Sequence, residues 1–427
     1  MKIIINPSTD QYQNLCRRES LNKELTEQAV RQIVEDVKLN GDSALVRLTS
    51  QFDRVKIDSL YVSQEFIDDS EKYVSDRLKI AINSAIRNVI KFHSFQKRET
   101  VDVIVGKGIE CSIKYLPIER VGIYIPGGSA PLFSSVIMLA VPALIAGCKD
   151  IILFTPPTVD GEISREIAYT SKVLGISNIV KVGGAQAIAA MAYGTESIKS
   201  VDKIFGPGNM FVNCAKELVC KDVSVDMFAG PSELLVIADD SANPTYVASD
   251  LLSQAEHGID SQITLLSDSL EFIESVVLQL DVLTKGLKRA EIIIQSLKSA
   301  KAILFESISL AIDYANIYAP EHLIISTKGG DEDALKIKNC GSLFIGPFST
   351  ESAGDYASGT NHTLPTSGWS KSVSGVTVDS FTKSMTIQKL TKEGLESISQ
   401  DIIEMANAEG LDAHALAIKA RVINNFN

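Results

Sequence analysis

The sequence predicts an α/β protein with two doubly wound parallel-sheet domains and a small helical and extended C-terminal tail. Short segments rich in Val, Ile and Leu alternate with amphipathic helical segments from Val121 onward, as in a parallel sheet covered on both faces. The alternation breaks near Glu233 and then resumes, which makes two such units. A chain of 427 residues is also too long for one ordinary core.

The elements follow in order. The N-terminal MKIIINPSTD holds a three-residue apolar run, far short of a signal-peptide core. Residues 24–39 and 43–52 read as amphipathic helices split by Asn40-Gly41. Residues 75–96 form a longer helix with Leu78, Ile82, Ile86, Val89 and His93 on one stripe, so His93 is a core histidine and stays out of the site. The first series of strands covers 121–125, 150–155, 178–182 and 201–205, with helices running to Cys148, over 162–174, to Tyr193 and to Cys220. The second series begins with LLVIAD and a helix over 243–258, then QITLLS, two helices, AILF, a helix over 308–318, HLIIST, a helix and SLFIG. Past Ser370 the chain turns polar, then gives a strand at 385–390 and two helices.

This division places an N-terminal segment at 1–20 and a discontinuous first α/β domain at 21–120 and 233–376. A second α/β domain follows at 121–232, and a tail at 377–427. The tail is too small to hold a core of its own, so it is expected to dock on a second subunit. A net charge of −12 argues against nucleic acid or an anionic membrane as partner. The longest apolar run, 136–147, is well short of the about 20 residues of a membrane span and contains Pro142. The six cysteines form no Cys-x-x-Cys pair and read as reduced, in a cytoplasmic protein.

The candidate site begins with GDYASGTNHTLPTSG, residues 354–368, which has no apolar period and reads as an ordered loop. It brings Asp355, Tyr356, Asn361 and His362 into one polar stretch. Three of the other four histidines lie in similar contexts: His257 in SQAEHG, His322 in APEHL and His414 in EGLDAH. Gln254 and His257 are three apart near a helix end and share a face. With Asp355, His362 and His414 they make a mixed N/O set suited to zinc, or to manganese or cobalt. Taken alone, the Gln-x-x-His pair reads as a solvated helix end. Glu321-His322 is either an exposed acid beside a helix-ending histidine or an acid and base at the mouth of a strand. Three glycine turns, PGGSAP, VGGAQ and FGPGN, each follow a strand and open a helix, where backbone N–H groups favour a phosphate. None is Gly-x-Gly-x-x-Gly, and the pattern alone does not name a cofactor.

The stretches VGIYIPGGSAPLFSSV, VGGAQAIAAMAYGTES, KIFGPGNMFV, AGPSE, SDLLSQAEHG, APEHLII, ESAGDYASGTNHTLPT and AEGLDAH resemble, in that order, those of the histidinol dehydrogenases. The resemblance implies an incomplete Rossmann-like fold in each α/β domain and a homodimer with shared sites. It implies oxidation of L-histidinol to L-histidine through the aldehyde, with two NAD molecules reduced in turn. By the same resemblance Gln254, His257 and Asp355 bind zinc with His414 of the partner subunit. Ser232, His322, His362 and Glu409 contact the substrate, Tyr124, Gln186 and Asn209 contact NAD, and Glu321 and His322 are catalytic. Two other readings use the same residues. One is a zinc hydrolase acting on a small imidazole or amino compound, and the other is an inactive ligand-binding relative.

Overall fold

The structure, a computed structural model, describes residues 1–18, 23–127, 131–228 and 230–422. The chain forms two compact units, Met1–Gln96 with Ile118–Ser380, and Lys97–Pro117 with Phe381–Asn427.

The first unit holds two parallel sheets. The larger runs in the order Lys2–Ile5, Lys301–Leu304, Gln262–Ser267, Glu233–Ala238, His322–Ser326, Ser342–Ile345. The smaller runs Ile179–Val180, Asp150–Phe154, Arg120–Tyr124, Lys203–Phe205, Ser224–Val225. Apart from the edge strand Lys2–Ile5, each starts from an inner strand, walks outward on one side, then returns to fill the other. That reversal makes a switch point beside Glu233–Ala238 in one sheet and beside Arg120–Tyr124 in the other.

The strand Glu233–Ala238 shows why these segments are continuous apolar runs. Leu234 and Val236 pack on the helices Pro244–Ala255 and Leu270–Thr284, while Leu235 and Ile237 pack on Tyr12, Tyr314 and Tyr318. Both faces are buried, so no polar alternation survives. Sequence analysis reads 2–5 only as an apolar run; it is the edge strand of the larger sheet.

The expected break between the first two helices is real. The helix Lys23–Phe52 kinks at Gly41, with φ 48° and ψ −129°, and a Cβ there would meet the carboxylate of Glu196. His93 is fully buried and its Nδ1 lies 2.8 Å from Gln96 Oε1, as a core histidine.

In the second unit the tail strand Thr382–Leu390 pairs antiparallel with Ile109–Pro117, which pairs in turn with Val101–Gly106. No element is expected from the sequence at that hairpin. Val101, Val103, Ile104 and Val105 are all exposed, so the alternation that marks a half-buried strand is missing. The helices Lys392–Ala408 and Asp412–Val422 complete the unit.

One ion pair ties distant parts of the first unit together. The Arg18 guanidinium donates from Nε and Nη2 to the two oxygens of Glu233, each at 2.9 Å. Nη2 also donates to the Tyr318 carbonyl, and the guanidinium lies 3.8 Å from the Tyr318 ring centroid. Glu233 is wholly buried at the head of its strand. Removing Arg18 strands that charge. Arg18→Ala is expected to lower unfolding free energy by about 3–5 kcal/mol. Arg18→Lys should restore less than half of this, because the bidentate fork is lost. Denaturant unfolding followed by fluorescence of Trp369, the single tryptophan, checks both.

Candidate active site

Opposite edges of the two sheets contribute to one cavity of about 320 Å³. The larger sheet offers its amino edge: Ser232 precedes Glu233–Ala238, and Glu321 with His322 heads His322–Ser326. The smaller sheet offers its carboxyl edge, through Gly206 to Asn209 after Lys203–Phe205.

The peptide of Glu233 organises the acid and the base. Its N–H donates to Glu321 Oε2 at 2.8 Å, and its carbonyl lies 3.0 Å from His322 Nδ1. A carbonyl only accepts, so Nδ1 carries the proton and Nε2 presents its lone pair. Nε2 is enclosed, has no hydrogen-bond partner, and stands 3.8 Å from Asp355 Oδ1. Burial pushes the imidazole down to about 4, against the opposing pull of Asp355, so it is a neutral acceptor at ordinary pH. Burial pushes the Glu321 carboxyl well above its usual range, with Glu233 and Asp355 adding to the rise and the Glu233 N–H opposing it. The result is a carboxyl that holds a proton readily beside a neutral imidazole.

His362 is fixed in the same way. Its Nδ1 donates to the Asp355 carbonyl at 3.0 Å, leaving Nε2 to accept from the Ser135 hydroxyl at 3.3 Å. Its pKa is lowered, chiefly by burial.

The stretch read as loop is partly helical. Glu351–Tyr356 is a six-residue helix, capped by Thr350 Oγ1 accepting from Ser352 N–H. Gly354 seats it against Phe344, so tertiary packing overrides the weak local propensity. The helix carries a residue that sequence reasoning missed. Glu351 is buried, and ligand atoms of His257, Glu351 and Asp355 all lie within 4.8 Å of one another. A signal was present: Glu351 and Asp355 are four apart and share a helix face. The expected helix around Gln254 ends at Ala255, and His257 lies on the following turn, its N–H bonded to the Gln254 carbonyl at 3.2 Å.

The donor set fits a zinc ion. Gln254 is entirely buried, and among the described residues neither its amide oxygen nor its nitrogen has a hydrogen-bond partner. Such an amide is costly unless a ligand meets it. An amide oxygen, an imidazole and a carboxylate make a mixed N/O set with no thiolate, as in an open zinc site.

Ser232, His257, Glu321, His322, Asp355 and His362 thus line one cavity, with Gln254 one turn from His257. Glu409 and His414 belong to the second unit and are exposed there.

A second cavity of about 740 Å³ shares Pro126 and Asn209 with the first. Tyr124, Gln186 and Asn209 all line it. The Tyr124 hydroxyl accepts from Gly184 N–H at 3.1 Å, and burial pushes its pKa up to about 12. Gln186 is buried with its Oε1 unpartnered. Asn209 spends Oδ1 on capping the helix Met210–Val219, accepting from Phe211 and Val212, and keeps its amide nitrogen for other partners. Of the PGGSAP turn, Pro126, Gly127 and Pro131 line this cavity, whereas Gly128, Ser129 and Ala130 lie outside the described residues.

The FGPGN turn is held by a buried ion pair. Lys216 Nζ donates to the Gly206 carbonyl at 2.5 Å and to Asp226 Oδ1 at 2.6 Å, while Gly206 N–H donates to Asp226 Oδ2 at 2.8 Å. Gly206 has φ 124°, and a Cβ would come within 2.1 Å of the Tyr124 carbonyl oxygen, so only glycine fits. Lys216→Met is expected to cost about 3–5 kcal/mol by stranding Asp226. The double variant Lys216→Met/Asp226→Asn should be the more stable of the two, because it leaves no uncompensated charge. Denaturant unfolding of wild type, both single variants and the double variant closes the cycle.

Comparison with known proteins places these features. The histidinol dehydrogenase family model matches residues 16–422. A histidinol dehydrogenase of Bacteroides thetaiotaomicron is 48% identical over 99% of both chains, and one of Bacteroides fragilis is 49% identical over the same share. The crystal structure of the histidinol dehydrogenase of Elizabethkingia anophelis superposes with a TM-score of 0.95 at 46% identity, covering 99% of this chain and 98% of that one.

Proposed function

This chain belongs to the histidinol dehydrogenase family, and from that premise we propose that it oxidises L-histidinol to L-histidine through the aldehyde, using two NAD in succession. The observation that carries the reading is the Glu321–His322 pair, set by the two ends of one peptide over an acidic cavity. Asp260, Glu321 and Asp355 line that cavity beside Asp226, whose charge Lys216 meets, and among its described lining residues there is no Lys or Arg. A cationic amino alcohol complements such a site. The hydrolase alternative drops out with the family assignment.

Gln254, His257 and Asp355 hold the metal, together with His414 of the partner subunit, and the tail docks on that subunit in a homodimer. Zinc, when bound, would supply a Lewis acid that helps to position the substrate, and NAD would supply the hydride acceptor. Ser232, His362 and Glu409 orient the substrate. Tyr124, Gln186 and Asn209 hold the dinucleotide along the larger cavity.

His322 Nε2 takes the proton of the alcohol as the carbinol carbon is oxidised to the aldehyde. Glu321 then draws a proton from water as its oxygen adds to the aldehyde carbon. His322 serves again as base when the hydrate is oxidised to the carboxylic acid. Enclosure of both groups keeps the aldehyde at the site between the two oxidations.

No helix among the described residues is long and apolar enough to cross a membrane, and no disulfide joins the six cysteines. Both features suit the cytoplasm, where we place the enzyme.

NADH absorbance tests the reading. Two NADH per L-histidinol are expected, lost on chelation and restored by zinc; no NADH would overturn the proposal. Two variants separate the half-reactions. His322→Asn should slow oxidation of both L-histidinol and its aldehyde by about 10²–10⁴-fold. Glu321→Gln should leave alcohol oxidation within about threefold and slow aldehyde oxidation by 100-fold or more, roughly. Equal rates of aldehyde oxidation in wild type and Glu321→Gln would remove Glu321 from that role.

A further inference from the structure

We infer that Asp53 reads the ribose of the adenosine half of the dinucleotide, accepting from its hydroxyls, and so selects NAD against NADP. The inference rests on the larger cavity being the dinucleotide site. Asp53 lines that cavity immediately after the helix Lys23–Phe52. An acid at a helix C-terminus opposes the macrodipole, so the helix gains nothing from it. Its carboxylate gains nothing from the fold either. Oδ2 is enclosed and has no hydrogen-bond partner among the described residues, and burial lifts its pKa to about 6. Half-buried carboxylates without a donor are costly, and here the cavity is the place where donors can arrive.

Position and charge then choose the ligand. Pro126 and Asn209 belong to both cavities, which puts the reacting nicotinamide at that end. Asp53, Phe52 and Ser164 line only the larger cavity, where the adenosine half must extend. A carboxylate accepts well from a vicinal diol and repels a 2′-phosphate, the general logic of NAD selection in dinucleotide folds. Among the described residues lining this cavity there is no Lys or Arg to receive that phosphate.

Binding of ADP-ribose and of its 2′-phosphate to the zinc-loaded enzyme, by calorimetry, tests this directly. Wild type should bind ADP-ribose and discriminate strongly against the phosphate. Asp53→Ala should weaken ADP-ribose about 10- to 100-fold and narrow the discrimination by at least about tenfold. Asp53→Asn, close in shape, should narrow the discrimination with a smaller loss of ADP-ribose affinity, and it decides the matter should the alanine variant not fold. In turnover the KM for NAD should rise while kcat and the KM for L-histidinol stay within about threefold. If both variants match wild type with both probes while Gln186→Ala weakens ADP-ribose, the cavity is the dinucleotide site and Asp53 does not read it. If wild type binds ADP-ribose nowhere and ADP-ribose does not compete with NAD, the cavity assignment itself falls.

Discussion

The site depends on the burial of Glu233 at the head of an inner strand. Its side chain, lacking contact with water, is met by the Arg18 fork and by the N–H of Ser367 at 2.9 Å. Its backbone is then free to serve the chemistry, with the N–H on Glu321 and the carbonyl on His322. A single residue therefore ties the N-terminal arm and the segment after His362 to the acid and the base. The carboxylate's desolvation is offset by charge-assisted bonds, and the peptide's orientation fixes which imidazole nitrogen carries the proton. The tautomer follows from backbone geometry.

The two sheets share a winding but use opposite edges. The general rule places ligands beyond the carboxyl ends of parallel strands, and the Tyr124, Gln186 and Asn209 edge obeys it. Glu321 and His322 sit instead at the amino end of their strand. The helix Pro244–Ala255 delivers His257 to that same edge, because it runs back across the sheet before Gln262–Ser267 begins. The cavities at these two edges adjoin at Pro126 and Asn209, which line both.

What could be read in advance follows from range. The βα alternation is local, so each strand bordering the site was visible as an apolar run between turns. His257, His322 and Asp355 stood out because histidine is scarce and their surroundings are polar. Glu233 did not, since its partner Arg18 lies 215 residues away and nothing local distinguishes a buried carboxylate from an exposed one. Glu351 hid in a helix whose glycine and polar residues imitate a loop. Asp53 reads as an ordinary acid at a helix end until the cavity beside it is seen. The hairpin at 101–117 was missed for the opposite reason, since apart from the buried Ile109 its apolar residues are exposed or half-exposed.

Electrostatics gives the arrangement its direction. Glu321, Glu351 and Asp355 crowd around His322, with Glu351 Oε1 3.5 Å from the imidazole Nδ1. Burial, then mutual repulsion, raises Glu351 well above the usual carboxylate range. Two such charges about 4 Å apart repel by about 4 kcal/mol at an effective dielectric near 20. The described residues lining the cavity place no guanidinium or ammonium there to balance them. Burial and this repulsion both act to favour the protonated form of Glu321 and Glu351.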